Sequence, residues 1–242
     1  MKEITMKLLA IDSSGMVASV AVLSDEKLIG EYTINNKKTH SQTLLPMIDE
    51  MNKMIGMELE EIDAIAIAAG PGSFTGLRIG SATAKGLAFA LNKPIISVPT
   101  LEAIASNVYG TDLLLCPIMD ARNQQVFTGF YRFVGEELTT ELEQTVLTID
   151  ELCHRLNEMK MNVMFLGDGI DVYRDILVDK VEGKISFAPA HLKNQRASAV
   201  GMRAFTLYKE GKIDTADSHV PEYLRLSQAE REMQERQKMK QS

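Results

Sequence analysis

The chain has 242 residues with a formal net charge of −7, and 45% of them are hydrophobic. That is core material for one large or two small domains. The acidic balance excludes a free-standing nucleic-acid binder, which carries a basic footprint, but not membership of an RNA-processing complex whose partner supplies the basic surface.

Lys2, Glu3 and Lys7 surround a short apolar stretch with no signal-peptide core, and no apolar run reaches the length of a membrane span. A soluble, cytoplasmic protein is expected. Lys7 to Asp12 (KLLAID) predicts a strand, Ser13-Ser14-Gly15 a turn, and Val17 to Leu23 (VASVAVL) a second strand. Ser24-Asp25-Glu26-Lys27 then makes a hairpin turn into a third strand, Leu28 to Ile34, and Asn35-Asn36-Lys37-Lys38 breaks the pattern. A helix follows from about Ser41 to Ile55, with Pro46 in its first turns. Leu44, Ile48, Met51 and Ile55 form one stripe, while Leu45, Met47 and Met54 widen it beyond what one sheet needs. Two readings stand: a deeply buried helix, or one with a face on the core and a methionine-rich face on a partner.

Residues 64 to 91 organise the rest. Ala64 to Ala69 is a run of small and β-branched residues suited to a buried strand, and Gly70-Pro71-Gly72 forces a sharp turn. Ser73 or Thr75 can cap a helix from about Gly76 to Leu91, ended by Asn92 and Pro94. A helix N-terminus aimed at a glycine-rich loop is an anion site in waiting. The loop has neither the Walker A ending nor the dinucleotide glycine spacing, so a plain tight connection stays open beside a phosphate site. Gly76, Gly80, Ala84 and Ala88 recur every fourth residue. Glycine costs about 1 kcal/mol in a helix, so this strip implies close approach of another element, either a partner or the chain's own sheet.

Pro94 to Pro99 predicts a short strand, and Leu101 to Tyr109 a helix capped by Thr100. A composition dip at Gly110-Thr111-Asp112 suggests a boundary, giving lobes at 1–110 and 111–226 and a charged tail at 227–242. Leu113 to Asp120 and Gln125 to Phe133 predict strands joined through Ala121-Arg122-Asn123, repeating the opening: apolar strand, aspartate, turn, hairpin strand. Helices are expected at Ile149 to Met159, Val172 to Asp179 and Ala197 to Lys209, with a strand at Val163 to Leu166 before Gly167-Asp168-Gly169. Cys116 and Cys153 lack metal-ligand spacing and read as reduced core or surface residues.

AIDSSGMVASVAVL, THSQTLLPMID, AAGPGSFTGLRIG with its small-residue helix, PTLEAIA and PEYLR together resemble the TsaB (YeaZ) family. The likeness is dense over residues 7 to 110 and rests on PIMDARNQQVF and PEYLR beyond them. It implies an α/β, two-lobed actin/sugar-kinase-like fold with mixed sheets, each lobe opening with a three-stranded meander. It also implies a role in placing the threonylcarbamoyl group on the adenosine beside the tRNA anticodon, as a non-catalytic activator of TsaD. TsaC makes the threonylcarbamoyl adenylate, and TsaE, an ATPase, docks at the junction.

The catalytic relative TsaD holds a metal through an H-x-x-x-H pair, which places two ligands on one helical face. His40, His154, His191 and His219 include no two four apart, so each reads as a surface or capping residue and no metal is expected. Asp12 stands where the superfamily often orients a metal. Yet Ser13-Ser14-Gly15 after Asp12 and Ala-Arg-Asn after Asp120 lack the glycine hairpins of a phosphate grip, so these aspartates read as turn caps. An old glycoprotease label of the family raises a peptidase, but Ser73 lacks the G-x-S-x-G elbow and an assignable base. The alternative of another class is a stand-alone ATP-dependent enzyme of the same superfamily.

The expected partner face comprises Leu44, Leu45, Ile48, Met51, Gly76, Arg78, Gly80 and Ala84, pairing with TsaD or, in its absence, with a second copy. Asp12, Gly70, Gly72 and Ser73 form a candidate nucleotide or partner loop. No catalytic residue and no tightly bound cofactor are expected. ATP or ADP would enter only at the complex junction, and tRNA only within the complex.

Overall fold

The computed structural model describes residues 5–25, 27–36 and 40–225. The expected tail at 227–242 lies outside them, as do Lys2, Glu3, Glu26, Lys37 and Lys38. Among the described residues, ten strands form two five-stranded sheets. The first holds β1 (Lys7–Asp12), β2 (Val17–Ser24), β3 (Lys27–Asn35), β4 (Ala64–Gly70) and β5 (Ile95–Pro99), in the order β3-β2-β1-β4-β5. β1, β2 and β3 are antiparallel, whereas β1, β4 and β5 run parallel, with Leu9 opposite both Val22 and Ile65. The second holds β6 (Leu114–Asp120), β7 (Gln125–Val134), β8 (Glu137–Thr148), β9 (Val163–Leu166) and β10 (Ile185–Phe187), in the order β10-β9-β6-β7-β8. Counted from its own first strand, each sheet therefore reads 3-2-1-4-5. The repeat of meander and parallel additions is that of the actin/sugar-kinase-like class.

β4 (AIAIAAG) is buried along its whole length because helices cover both faces of its sheet, which is why it carries no polar alternation. α1 (His40–Ile55) and α2 (Phe74–Leu91) pack on one face through Leu44, Ile48, Met51, Ala84 and Ala88. α7 (Ala197–Lys209) covers the other with Ala197, Val200 and Ala204 against Leu8, Ala10 and Ala21. On the second sheet α4 (Ile149–Met159) and α5 (Gly169–Lys180) take one face. α3 (Thr100–Ala105) meets the other, where Leu101 and Ile104 pack with Leu115, Met119 and Tyr131. The short α6 (Ala190–Lys193) precedes α7.

Several expectations are corrected. α7, which the proposed boundary gave to the second lobe, packs on the first sheet. Gly201 permits this, since a Cβ there would run into the Leu23 side chain. α2 begins at Phe74 because Ser73 rather than Thr75 is the cap, its Oγ accepting from Gly76 N at 3.3 Å. α3 ends at Ala105, four residues early, where Asn107 Nδ2 donates to the carbonyls of Leu192 and Asn194 and ties the chain elsewhere. β8 was not read as a strand from its residues because ELTTELEQTVLT buries almost none of its side chains. α5 starts three residues before the expected Val172, and β10 is too short to show as a pattern.

Candidate functional site

The Gly70–Ser73 loop, the N-terminus of α2 and the β1–β2 turn meet at the mouth of a cleft between the two sheets. Glycines make the meeting possible. A Cβ on Gly72 would collide with the Ser14 carbonyl, and one on Gly76 with the Ser13 carbonyl. One on Gly80 would strike Ser13 Oγ, which itself donates to Gly76 O at 2.9 Å. Gly70 has φ +127°, open only to glycine, and faces the backbone of Glu222, whose N–H donates to Ala69 O at 2.7 Å. Ser73 N donates to Ser14 O at 2.6 Å, and Gly76 N is held by Ser73 Oγ. The loop amides of Ser73 and Gly76, which an anion would need, are thus engaged by the chain itself.

Asp12 ends β1 at the floor of this turn and is 0% exposed. Its Oδ1 accepts from Ser14 N at 2.9 Å and Ser14 Oγ at 2.7 Å, while Oδ2 has no partner among the described residues. Burial pushes its pKa up to about 6, against the lowering by the two Ser14 bonds and by nearby His40. His40 Nε2 pairs with Gly15 O at 2.8 Å. Gln195, 1% exposed, lies against Gly15, and neither of its amide atoms has a partner among the described residues. Asp120 ends β6 in the matching place. Its Oδ1 accepts from Arg122 N at 2.9 Å and from Tyr173 OH at 3.0 Å. Asp168 Oδ1 accepts from Asp120 N at 3.3 Å, and burial raises the Asp168 carboxyl. Both aspartates hold the N–H two residues on, the turn-capping role read from their sequence context. Arg122, Asn123 and Gln124 all have positive φ, so the second turn keeps a left-handed course without glycine. Ser14, His40, Ser73, Asp120, Arg122 and Asp168 line the cleft, whose volume is about 420 Å³.

Among the described residues no three His, Cys, Asp or Glu side chains are arranged to hold a metal ion. His154 sits on the surface 3.4 Å from Glu158. His219 departs from the expected surface or capping role: it is buried, with Nδ1 at 2.8 Å from Ser97 Oγ. Cys116 and Cys153 are both free and buried, and burial raises both thiols, Cys116 to about 12.

The eight residues expected at a partner face divide. Leu44, Ile48, Met51, Gly76, Gly80 and Ala84 are buried inside the chain, so they do not form an outer face. The small strip of α2 serves its own sheet and the Ser13 turn. Leu45 and Arg78 are exposed. α1 and α2 lie side by side and leave Leu45 (54% exposed), Met54 (72%) and Phe89 (81%) in solvent, Leu45 and Met54 on opposite flanks of the buried stripe of α1 and Phe89 on the same side of α2 as exposed Ala82, Gly86 and Ala90. Phe89 was missed; its signal was a large apolar residue directly after buried Ala88, off the small strip by one position. At the other end of α2, Tyr223 stacks on Phe74 at 4.2 Å and the Arg78 guanidinium lies 4.2 Å from the same ring.

The family model described as TsaD, tRNA N6-adenosine threonylcarbamoyltransferase, matches residues 27–233. The tRNA threonylcarbamoyladenosine biosynthesis protein TsaB of Bacillus subtilis (strain 168) is 36% identical over 96% of this chain and 100% of its own length. The protein of that name from Escherichia coli (strain K12) is 29% identical over 91% of this chain and 95% of its own. The solved structure of YeaZ from Pseudomonas aeruginosa superposes with a TM-score of 0.78 at 28% identity, covering 90% of this chain and all of that one.

Proposed function

The chain belongs to the TsaB family and takes part in tRNA threonylcarbamoyladenosine biosynthesis, and from this we propose that it is a non-catalytic subunit that pairs with TsaD. The pairing surface is the outer side of α1 and α2. One observation carries the reading: these two neighbouring helices leave Leu45 and Phe89 exposed, although both helices already have full core faces of their own. An aromatic side chain held in water is the kind of anchor that dominates a protein interface. Without TsaD the same face pairs with a second copy, and TsaE docks at the junction with TsaD. tRNA is met only in the assembled complex, in the cytoplasm. No helix among the described residues is long and apolar enough to cross a membrane.

The engaged loop supports the non-catalytic reading. The Ser13 and Ser14 carbonyls fill the spaces beside Gly76 and Gly72, so these residues do not fit a phosphate tail at the loop. Any nucleotide is then a property of the complex junction. Mg-ATP is expected to leave the melting midpoint of the chain alone unchanged. A clear rise would favour the ATP-dependent enzyme, because ligand binding to the native state must raise it.

Phe89→Glu and, separately, Leu45→Glu are expected to abolish both self-pairing and pairing with TsaD, as read by light scattering of each protein alone and mixed. Either change places an unpaired charge in the contact, a loss of at least about 2 kcal/mol. Both residues are surface residues, so the melting midpoint of the separated chain should hold. If both variants still dimerise and bind TsaD, the face is assigned wrongly.

A further inference from the structure

Beside the exposed face, a groove of about 610 Å³ runs between the second half of α1, the turn at 56–60 and Leu87 of α2. Its apolar lining includes Leu45, Ile48, Met57, Leu59 and Leu87, whereas its rim carries Asp49, Glu58 and Glu60 against one ammonium, Lys53. Lys53 is already bound to Asp49 at 2.6 Å. That leaves Glu58 and Glu60 exposed, each without a cation within ion-pair distance among the described residues. Asn52 also lines the groove, is 9% exposed, and its Oδ1 has no partner among the described residues.

We propose that this groove receives an apolar side chain flanked by lysine or arginine from the partner's helix, and that its acidic rim selects that partner over a second copy of this chain. The inference rests on the reading of the α1–α2 face as the pairing surface and adds what decides between its two occupants. An apolar floor favours any apolar knob, so it does not discriminate. The rim does. A basic partner gains attraction at Glu58 and Glu60, and a donor-bearing side chain can satisfy Asn52. A second copy offers Glu58 and Glu60 again. The cations around it are mostly engaged: Lys53 is held by Asp49, Lys7 by Glu61, Lys85 donates to the His219 carbonyl and Arg78 lies on the Phe74 ring, while Lys93 sits beyond the end of α2. Like charges brought together across a symmetric contact disfavour it, and this is how specificity is built without loss of apolar surface.

The test is the double charge reversal Glu58→Lys with Glu60→Lys in the full chain, with self-association followed by sedimentation equilibrium and TsaD binding by titration at low and high salt. Pairing with TsaD should weaken about tenfold at low salt and self-association should tighten, with both differences shrinking as salt screens them. For the unaltered chain, rising salt should weaken the mixed pair and strengthen the self-pair. If the reversal moves neither equilibrium, or moves both in the same direction, the rim does not select. Phe89→Glu separates the two ideas. If it abolishes pairing while the reversal has no effect, the face stands and the groove inference falls. If it changes nothing, the face itself is wrong.

Discussion

Gly76→Ala is expected to destabilise the chain by about 3 kcal/mol in urea unfolding, although alanine is the better helix former. The added Cβ would collide with the Ser13 carbonyl, a backbone atom that cannot rotate away. Relief requires the first turn of α2 to lift from the β1–β2 turn. That strains the bond from Ser13 Oγ to Gly76 O and the one from Ser73 N to Ser14 O. The control is Gly86→Ala, ten residues along the same helix, where a Cβ meets nothing within 4 Å. There helix propensity acts alone, and a gain of up to about 1 kcal/mol is expected. Opposite signs for one substitution in one helix would show that close approach, not helix formation, decides Gly76. Two equal signs would refute that account of the small strip.

That contrast also marks where the sequence stops being legible. The run AIAIAAG and the Asp12 and Asp120 repeat showed the buried strand and the doubled sheet plan, because each is a local pattern with one physical solution. The spacing of Gly76, Gly80 and Ala84 showed that something comes close, but a sheet and a partner make the same demand for small residues. The choice was made by Ser13, 63 residues earlier in the chain. α7 was visible as a helix, yet its return to the first sheet depends on the Gly201–Leu23 contact, which no local pattern encodes. Gln195 and His219 sit buried in stretches that read as polar loop, since what encloses each of them comes from distant segments. Of the candidate loop, Gly72 and Ser73 line the cleft, whereas Asp12 is buried beneath the turn and Gly70 faces the Glu222 backbone. Of the candidate face, burial of Leu44, Ile48 and Met51 moved the weight to Leu45 and Phe89.

Asp12→Asn is expected to stabilise the folded chain at pH 7.5 by about 1–3 kcal/mol and to change little near pH 4. The sign follows from the direction of the shift. Burial lifts the Asp12 carboxyl from an ordinary 3.8 to about 6, so the folded state holds a proton that the unfolded state has released. The favourable contribution of the protonated acid is therefore present below about pH 4 and lost as pH rises through 6. Asparagine keeps an oxygen for Ser14 N and Ser14 Oγ, removes the buried charge, and gives up only the attraction to His40 when that ring is charged. Urea unfolding between pH 4 and 8 should show a stability curve that is flatter for the variant, the two curves converging on the acid side. If the unaltered chain instead gains stability from pH 4 to 7 through this residue, the carboxylate is solvated or paired and its described environment is wrong. A carboxylate that weakens the fold at neutral pH has no structural reason to be aspartate when asparagine holds the same turn. Reconstituted tRNA modification with TsaC, TsaD and TsaE then decides what the charge is for. A stabilised variant that still supports modification makes Asp12 a turn cap alone. A stabilised variant that binds TsaD but fails to support modification assigns the buried charge to the working of the complex.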